Sequence, residues 1–173
     1  MKRTGILSAF LALLAVGVAA APAEAKRMDP VLLQGEARAI DGDTLQVGDT
    51  RLRLHGIDAP EIRQTCEDSA GEAWACGRRA ASELAVAVAG GEVHCISRER
   101  DRYQRLVATC WAAGRDVGQS LVAHGWAVAY RRFSVDYVSE ENLARYLTQG
   151  MWAGQFEMPW DWRQARRRQE ASR

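Results

Sequence analysis

The stretch from Arg51 to Glu61 constrains this chain more than any other. It reads Arg-Leu-Arg-Leu-His-Gly-Ile-Asp-Ala-Pro-Glu. Leu52 and Leu54 alternate with Arg51, Arg53 and His55, so a strand here has one apolar face and one basic face. The pattern ends at Gly56. Pro60 then stops the strand and holds Ala59 extended. An arginine on a rigid strand is thereby followed by two carboxylates, Asp58 and Glu61, on a rigid turn. Carboxylates hold hard cations or take protons, and a guanidinium grips phosphate. Asp41-Gly42-Asp43-Thr44 adds acids upstream on a turn, and Asp101-Arg102-Tyr103-Gln104-Arg105 adds cationic groups downstream.

The 173 residues suffice for one domain with a real core. The first of them read as a targeting segment. A basic start, an apolar run from Gly5 to Ala21 and the small-residue site Ala23-Glu24-Ala25 make residues 1–25 a secretory signal peptide, with an uncleaved membrane anchor as the rival reading. Without residues 1–25 the chain loses Lys2, Arg3 and Glu24. Basic residues fall from 23 to 21 and acidic from 22 to 21, leaving a formally neutral chain. Phosphate binding must then come from local arrangement rather than from a polycationic surface.

Four cysteines, an even number in an exported chain, suggest disulfides. Of three possible pairings, Cys66–Cys76 closes a short loop and Cys95–Cys110 crosses a hairpin. With Arg102-Tyr103 at the hairpin tip, Cys95 and Cys110 fall opposite each other. Zinc is the alternative, but no Cys-x-x-Cys spacing supports it.

Lys26 to Gln34 reads as a linker. Strands are expected over Gly35–Ile40, Thr44–Val47, Thr50–His55, Glu92–Ser97 and Leu106–Trp111, with turn pairs at Asp41-Gly42 and Gly48-Asp49. The Ala-rich run Gly77–Ala89 is a helix stopped by Gly90-Gly91. Asp116, with Gln119 three residues on, caps a second helix to about His124, as in a capping box. Ser139-Glu140-Glu141 opens a third, its acids suited to the helix dipole, which stops near Gly150. A mainly β, α+β chain of five strands, with one helix after the third strand and two after the fifth, fits an OB-fold barrel. By itself that order also fits other small barrels.

Asp41-Gly42-Asp43-Thr44, then Arg53-Leu54-His55-Gly56-Ile57-Asp58-Ala59-Pro60-Glu61, then Asp101-Arg102-Tyr103-Gln104-Arg105 together resemble the staphylococcal nuclease family, from about Gly35 to about Gly154. The three motifs stand in the family's order at similar spacings. The resemblance implies an OB-fold nuclease domain over residues 35–155, with Arg53, Glu61 and Arg105 in the catalytic positions. It implies Ca²⁺ held by Asp43, Asp58 and the carbonyl of Ala59, with Arg102 and Tyr103 on a terminal phosphate and Tyr130 either stacked on a base or packed in the fold. Oxygen-only donors suit Ca²⁺ better than zinc. Glu61 is then the general base, and the two arginines neutralise charge growing on phosphorus.

The implied substrates are DNA and RNA, preferably single-stranded, cut to leave 3′-phosphate ends. The protein is expected to be a monomer in the periplasm or outside the cell. Some relatives have threonine where Ala59 stands, a change of little consequence if the backbone makes the contact. Many have glycine where Gln104 stands, and the substitution is expected to reshape the loop carrying Arg105. The alternative is a noncatalytic OB-fold module binding nucleic acid or polysaccharide.

Residues 156–173 form a Trp/Arg-rich tail. Its tryptophans either pack on the barrel, leaving the arginines as a solvated end, or form a stacking surface for single strands. His55, His94 and His124 stand at no recognised spacing and are read as structural or surface residues.

Overall fold

A computed structural model describes residues 28–173, so the signal-peptide reading of residues 1–25 lies outside the described residues. Strand β1 (Val31–Ala39) opens the barrel, followed by β2 (Thr44–Val47), β3 (Thr50–Leu54) and the short β4 (Ile57–Asp58). A loop with a two-residue ladder, β5 (Cys66–Glu67) and β6 (Ala73–Trp74), leads into helix α1 (Cys76–Ala87). Strands β7 (Glu92–Arg100) and β8 (Leu106–Ala112) form the long hairpin, and β9 (Arg115–Asp116) leads into α2 (Val117–Ala123). Then come β10 (Val128–Ala129), α3 (Val138–Tyr146), a 3-10 turn (Gly150–Ala153) and α4 (Pro159–Ala171).

The sheet runs β3-β2-β1-β7-β8, and a parallel pairing of β3 with β8 closes it into a five-stranded barrel. This is the expected OB-fold α+β architecture, with four α-helices rather than three. Strand β1 begins at Val31, inside the segment expected to be a linker. Gly35 explains the difference. Its φ of 146° is open to glycine, and it marks a corner rather than a boundary. Strand β1 pairs with β7 from Val31 through Glu36 and with β2 from Ala37 onward.

The leucines of the opening motif behave as the alternation requires. Leu52 and Leu54 are buried with Leu45, Val93, Leu106 and Ala108 inside the barrel, and Ala80, Leu84 and Val88 close one end. Asp116 caps α2 by accepting the N–H of Gln119 at 3.0 Å. The expected box is only half formed, because the Gln119 side chain turns to Glu140 at 2.8 Å. Glu141 does more than face a helix dipole. It is fully buried and paired with Arg131 and Arg145, which ties α3 to the turn following β10. Among the described residues, no helix is long and apolar enough to cross a membrane.

Both expected disulfides are formed. Cys95 and Cys110 face each other in the β7–β8 register, as the hairpin tip at Arg102-Tyr103 requires. The register shifts only beyond Ser97. Cys66–Cys76 joins the loop to the start of α1. A second apolar cluster forms on that bridge, with Val128 and Met151 buried and Trp74, Trp152, Phe156 and Trp160 packed against them. The aromatic part of the tail thus belongs to the fold.

The Cys95–Cys110 bridge spans 15 residues of sequence. Loop-closure entropy for that span is worth about 3 kcal/mol. Replacing both cysteines by alanine should lower the unfolding free energy by about that amount. Urea titration of the oxidised protein and the double variant measures it.

Candidate active site

The β2–β3 register places Thr44 opposite Arg53, so the Asp41-Gly42-Asp43 turn lies beside the arginine. Asp41 Oδ1 accepts the Asp43 N–H at 3.0 Å and holds the turn. Arg53 Nη1 donates to Asp43 Oδ1 at 3.1 Å, and Nη2 lies 2.9 Å from Asp43 Oδ2. The same Nη2 donates to Asp58 Oδ1 at 2.7 Å. The Ala59 N–H donates to Asp43 Oδ2 at 3.2 Å. Asp43, Arg53, Asp58 and Ala59, separate in sequence, therefore form one buried knot.

Glu61 lies at the rim of this knot, its side chain 38% exposed. Its backbone is fixed from three sides. The buried Gln64 accepts the Glu61 N–H at 3.3 Å and donates to the carbonyl of Glu157 at 2.7 Å. The Cys66–Cys76 bridge ties down the far end of the loop. Gly77, in the first turn of α1, lies so close that a Cβ there would fall 1.7 Å from the Glu61 carbonyl oxygen.

The sequence reading missed Arg163 on α4. It is not part of a solvated tail, although Arg166, Arg167 and Arg168 are exposed. Arg163 grips Asp58 with both arms, Nη1 to Oδ1 at 3.0 Å and Nη2 to Oδ2 at 2.7 Å, and Nη1 also donates to Glu61 Oε1 at 2.9 Å. Burial works against the Arg163 charge, but hydrogen bonds and attraction from Asp58 and then Glu61 hold its pKa above the ordinary arginine value. The clue in the sequence was the mixture of aromatics and arginines in the tail. The pairing itself has no local spacing to betray it.

Arg105 joins none of these acids. It leads into β8, the strand paired with β3, where Arg53 faces Val107. Its Nε and Nη2 both lie 2.7 Å from Asp101 Oδ2. Asp101 Oδ1 also accepts the N–H groups of Tyr103 and Arg105, at 2.8 and 3.0 Å, and so shapes the hairpin tip. Although partial burial opposes it, the Arg105 and Tyr103 hydrogen bonds hold the Asp101 carboxyl below its usual pKa. Gln104 takes a left-handed φ of 65°, a conformation glycine adopts without cost, yet the tip still closes, with the Gln104 N–H on the Asp101 carbonyl at 2.9 Å. Arg102 lies over the exposed Tyr103 ring at 4.9 Å.

Tyr130 follows β10, its N–H donating to the Gly56 carbonyl at 2.8 Å. Its ring stacks on Trp160 of α4, with centroids 5.5 Å apart and planes 4° from parallel. His55 does find partners, Asp136 at 3.0 Å and Glu99 at 3.6 Å, on the surface.

The site carries more acid than base. Among the described residues, Asp43, Asp58 and Glu61 pair with Arg53 and Arg163, and Asp41 adds a further acid beside Asp43. Burial pushes the Asp43 carboxyl up to about 7; Arg53 opposes this shift, and Asp41 and Asp58 add to it. Among the described residues, no three acidic, histidine or cysteine side chains converge as a metal cluster. A hard cation here would use Asp43 and Asp58 with a peptide oxygen and water. The oxygen-only, anionic donor set fits such an ion.

Residues 51–154 match the family described as Staphylococcal nuclease homologue. The chain is 36% identical to "Succinoglycan biosynthesis protein ExoI" of Rhizobium meliloti (strain 1021), over 78% of this chain and 71% of that one. It is 34% identical to an "Uncharacterized endonuclease" of Escherichia coli O157:H7, over 73% and 81%. It is 35% identical to "Protein ParB" of Escherichia coli, over 88% of each.

Two outcomes follow from this geometry. Gly77→Ala should destabilise the protein by about 1–3 kcal/mol, the usual cost of overpacking, because α1 must retreat from the Glu61 backbone; thermal unfolding checks this. Asp43 ionises near 3.8 when unfolded and near 7 when folded. Between those values the folded state binds the extra proton, so stability falls as pH rises. In chelator, urea titrations from about pH 4 to about pH 7 should show that fall in the wild type, and Asp43→Asn should flatten it.

Proposed function

The chain belongs to the staphylococcal nuclease family, and on that footing we propose that it is an exported, calcium-dependent nuclease. It cuts DNA and RNA, single strands preferentially, at the bond to the 5′ oxygen and leaves 3′-phosphate ends. It acts as a monomer in the periplasm or outside the cell. The observation that carries this reading is the buried Asp43–Arg53–Asp58 knot with Glu61 at its solvent-facing rim.

Fast hydrolysis of a phosphodiester needs a positioned water, neutralised charge on phosphorus and help for the leaving oxygen. Glu61 is held rigidly by its backbone and keeps a partly exposed carboxylate, which suits a base that takes a proton from water. Arg53 presents a planar fork whose geometry matches phosphate oxygens. Arg105, just before the adjacent strand β8, supplies a second fork once it exchanges Asp101 for phosphate. Bound calcium, held by Asp43, Asp58 and the Ala59 carbonyl, would supply Lewis-acid charge to the phosphate. Arg102 and Tyr103 at the hairpin tip hold a terminal phosphate. Contacts of this kind are to the backbone, so sequence preference is weak.

A noncatalytic OB-fold module for nucleic acid or polysaccharide is the second reading, and the succinoglycan biosynthesis named for the Rhizobium relative bears on its polysaccharide form. It requires binding without cleavage.

Digestion of single-stranded DNA by the oxidised protein separates the two. Cleavage should require Ca²⁺, stop in chelator, and fall by about 10²–10⁴-fold in Glu61→Gln, the usual contribution of a general base. A folded wild-type protein that binds the strand at millimolar Ca²⁺ without cutting it establishes the binding module instead.

A further inference from the structure

Both carboxylate oxygens of Asp58 are engaged by guanidinium groups. Oδ1 takes Arg53 at 2.7 Å and Arg163 at 3.0 Å, and Oδ2 takes Arg163 at 2.7 Å. Glu61 Oε1 is bonded to the same Arg163. A divalent cation needs an oxygen of Asp58, and a water-activating Glu61 needs its own carboxylate free. The Arg163 charge thus sits on the acids that the proposed reaction uses.

We infer that Arg163 is a positioning residue of the active site that competes with the divalent cation for Asp58 and holds Glu61, so that α4 sets the cation concentration at which the site becomes competent. This rests on the calcium-dependent nuclease reading above.

The placement of α4 supports the competition independently of those ion pairs. Trp160 precedes Arg163 by three residues and therefore shares its helix face. It lies flat on Tyr130, the tyrosine read either as a base-stacking residue or as part of the packing. One helix face thus covers both the acids and the aromatic ring. The start of the helix is firmly anchored. Pro159 occupies its first turn, Gln64 holds the Glu157 carbonyl, and Gln155 exchanges backbone hydrogen bonds with Glu67 at 2.8 and 3.0 Å. A helix held there delivers Arg163 as a built-in counter-ion. Cation binding then requires the guanidinium to leave Asp58, and apparent affinity falls in proportion to the fraction of molecules in the paired state.

Titration calorimetry with CaCl₂ on the full chain tests the competition. If the paired state holds about nine-tenths of the molecules, Arg163→Gln binds Ca²⁺ about tenfold more tightly than wild type, and half-maximal DNA cleavage shifts to correspondingly lower Ca²⁺. Arg166→Gln removes an equal charge from the same helix away from the acids and should leave Ca²⁺ affinity at the wild-type value. Unchanged or weaker binding in Arg163→Gln, with wild type still cleaving DNA in Ca²⁺, overturns the inference and leaves the nuclease reading standing. Equal tightening in Arg166→Gln also overturns it, since long-range charge rather than contact would then be responsible. A folded wild type that neither binds Ca²⁺ nor cleaves DNA defeats both. Should Arg163→Gln fail to fold, Arg163→Met removes the charge and keeps the packing of the apolar stem. Its Ca²⁺ binding should likewise be about tenfold tighter than wild type, and wild-type affinity there refutes the competition.

Discussion

Asp58 has no exposed surface, and the rest of the site depends on how that buried charge is satisfied. An unpaired carboxylate in such a place is strongly destabilising, and breaking a buried pair leaves the surviving charge uncompensated. Arg53 reaches Asp58 from β3 and Arg163 reaches it from α4. Arg53 also takes up Asp43 from the turn before β2. Satisfying one acid therefore fixes the relative positions of a turn, two strands and the last helix. The barrel supplies the frame, because the register of β2 on β3 brings the Asp43 turn alongside Arg53 before any charge is considered.

The role of general base proposed for Glu61 needs the opposite environment, exposed enough to meet water yet rigid enough to aim at it. Glu61 meets this through its backbone rather than its side chain. Gln64, Gly77 and the Cys66–Cys76 loop immobilise the main chain while the carboxylate stays at the rim. Gln64 extends the support to the tail by donating to Glu157. The same buried amide thus fixes both the Glu61 main chain and the approach of the helix that carries Arg163. The bridge expected from cysteine spacing is part of the site's scaffold, and not only a clamp on the unfolded chain.

Local physics made much of this legible. Period-two alternation gave the strands around Leu52 and Leu54, the symmetric spacing about the hairpin tip gave Cys95 opposite Cys110, and Asp43, Arg53, Asp58 and Glu61 lie within one meander. What failed to show was long-range or ambiguous. Gly35 carries the same signal whether it bounds a strand or bends one, so β1 was expected to begin four residues late. The fourth helix offers little amphipathic pattern, because its aromatic residues crowd the first turn and exposed arginines follow. Arg163 and its partners stand 105 and 102 residues apart, and no sequence period links them.

The near-neutral composition, with a formal net charge of +1 over the whole chain, bears on how such a site meets phosphate. A chain without a polycationic surface gains little from long-range attraction. Here each arginine at the site already has an acid of its own: Arg53 has Asp43 and Asp58, Arg105 has Asp101, and Arg163 has Asp58 and Glu61. Engaging a phosphodiester is then an exchange of partners, and its net gain is the difference between two charge-assisted pairs. That difference favours the nucleic acid only where the displaced carboxylate finds another cation or a proton. Asp43, pushed up to about 7 by burial, already lies near that limit. In the proposed reaction, a divalent ion at the acids would complete the exchange by taking up the carboxylates the arginines release. Arg53 spans both acids that would hold that ion, Asp43 and Asp58, whereas Arg163 joins one of them, Asp58, to Glu61 at the rim.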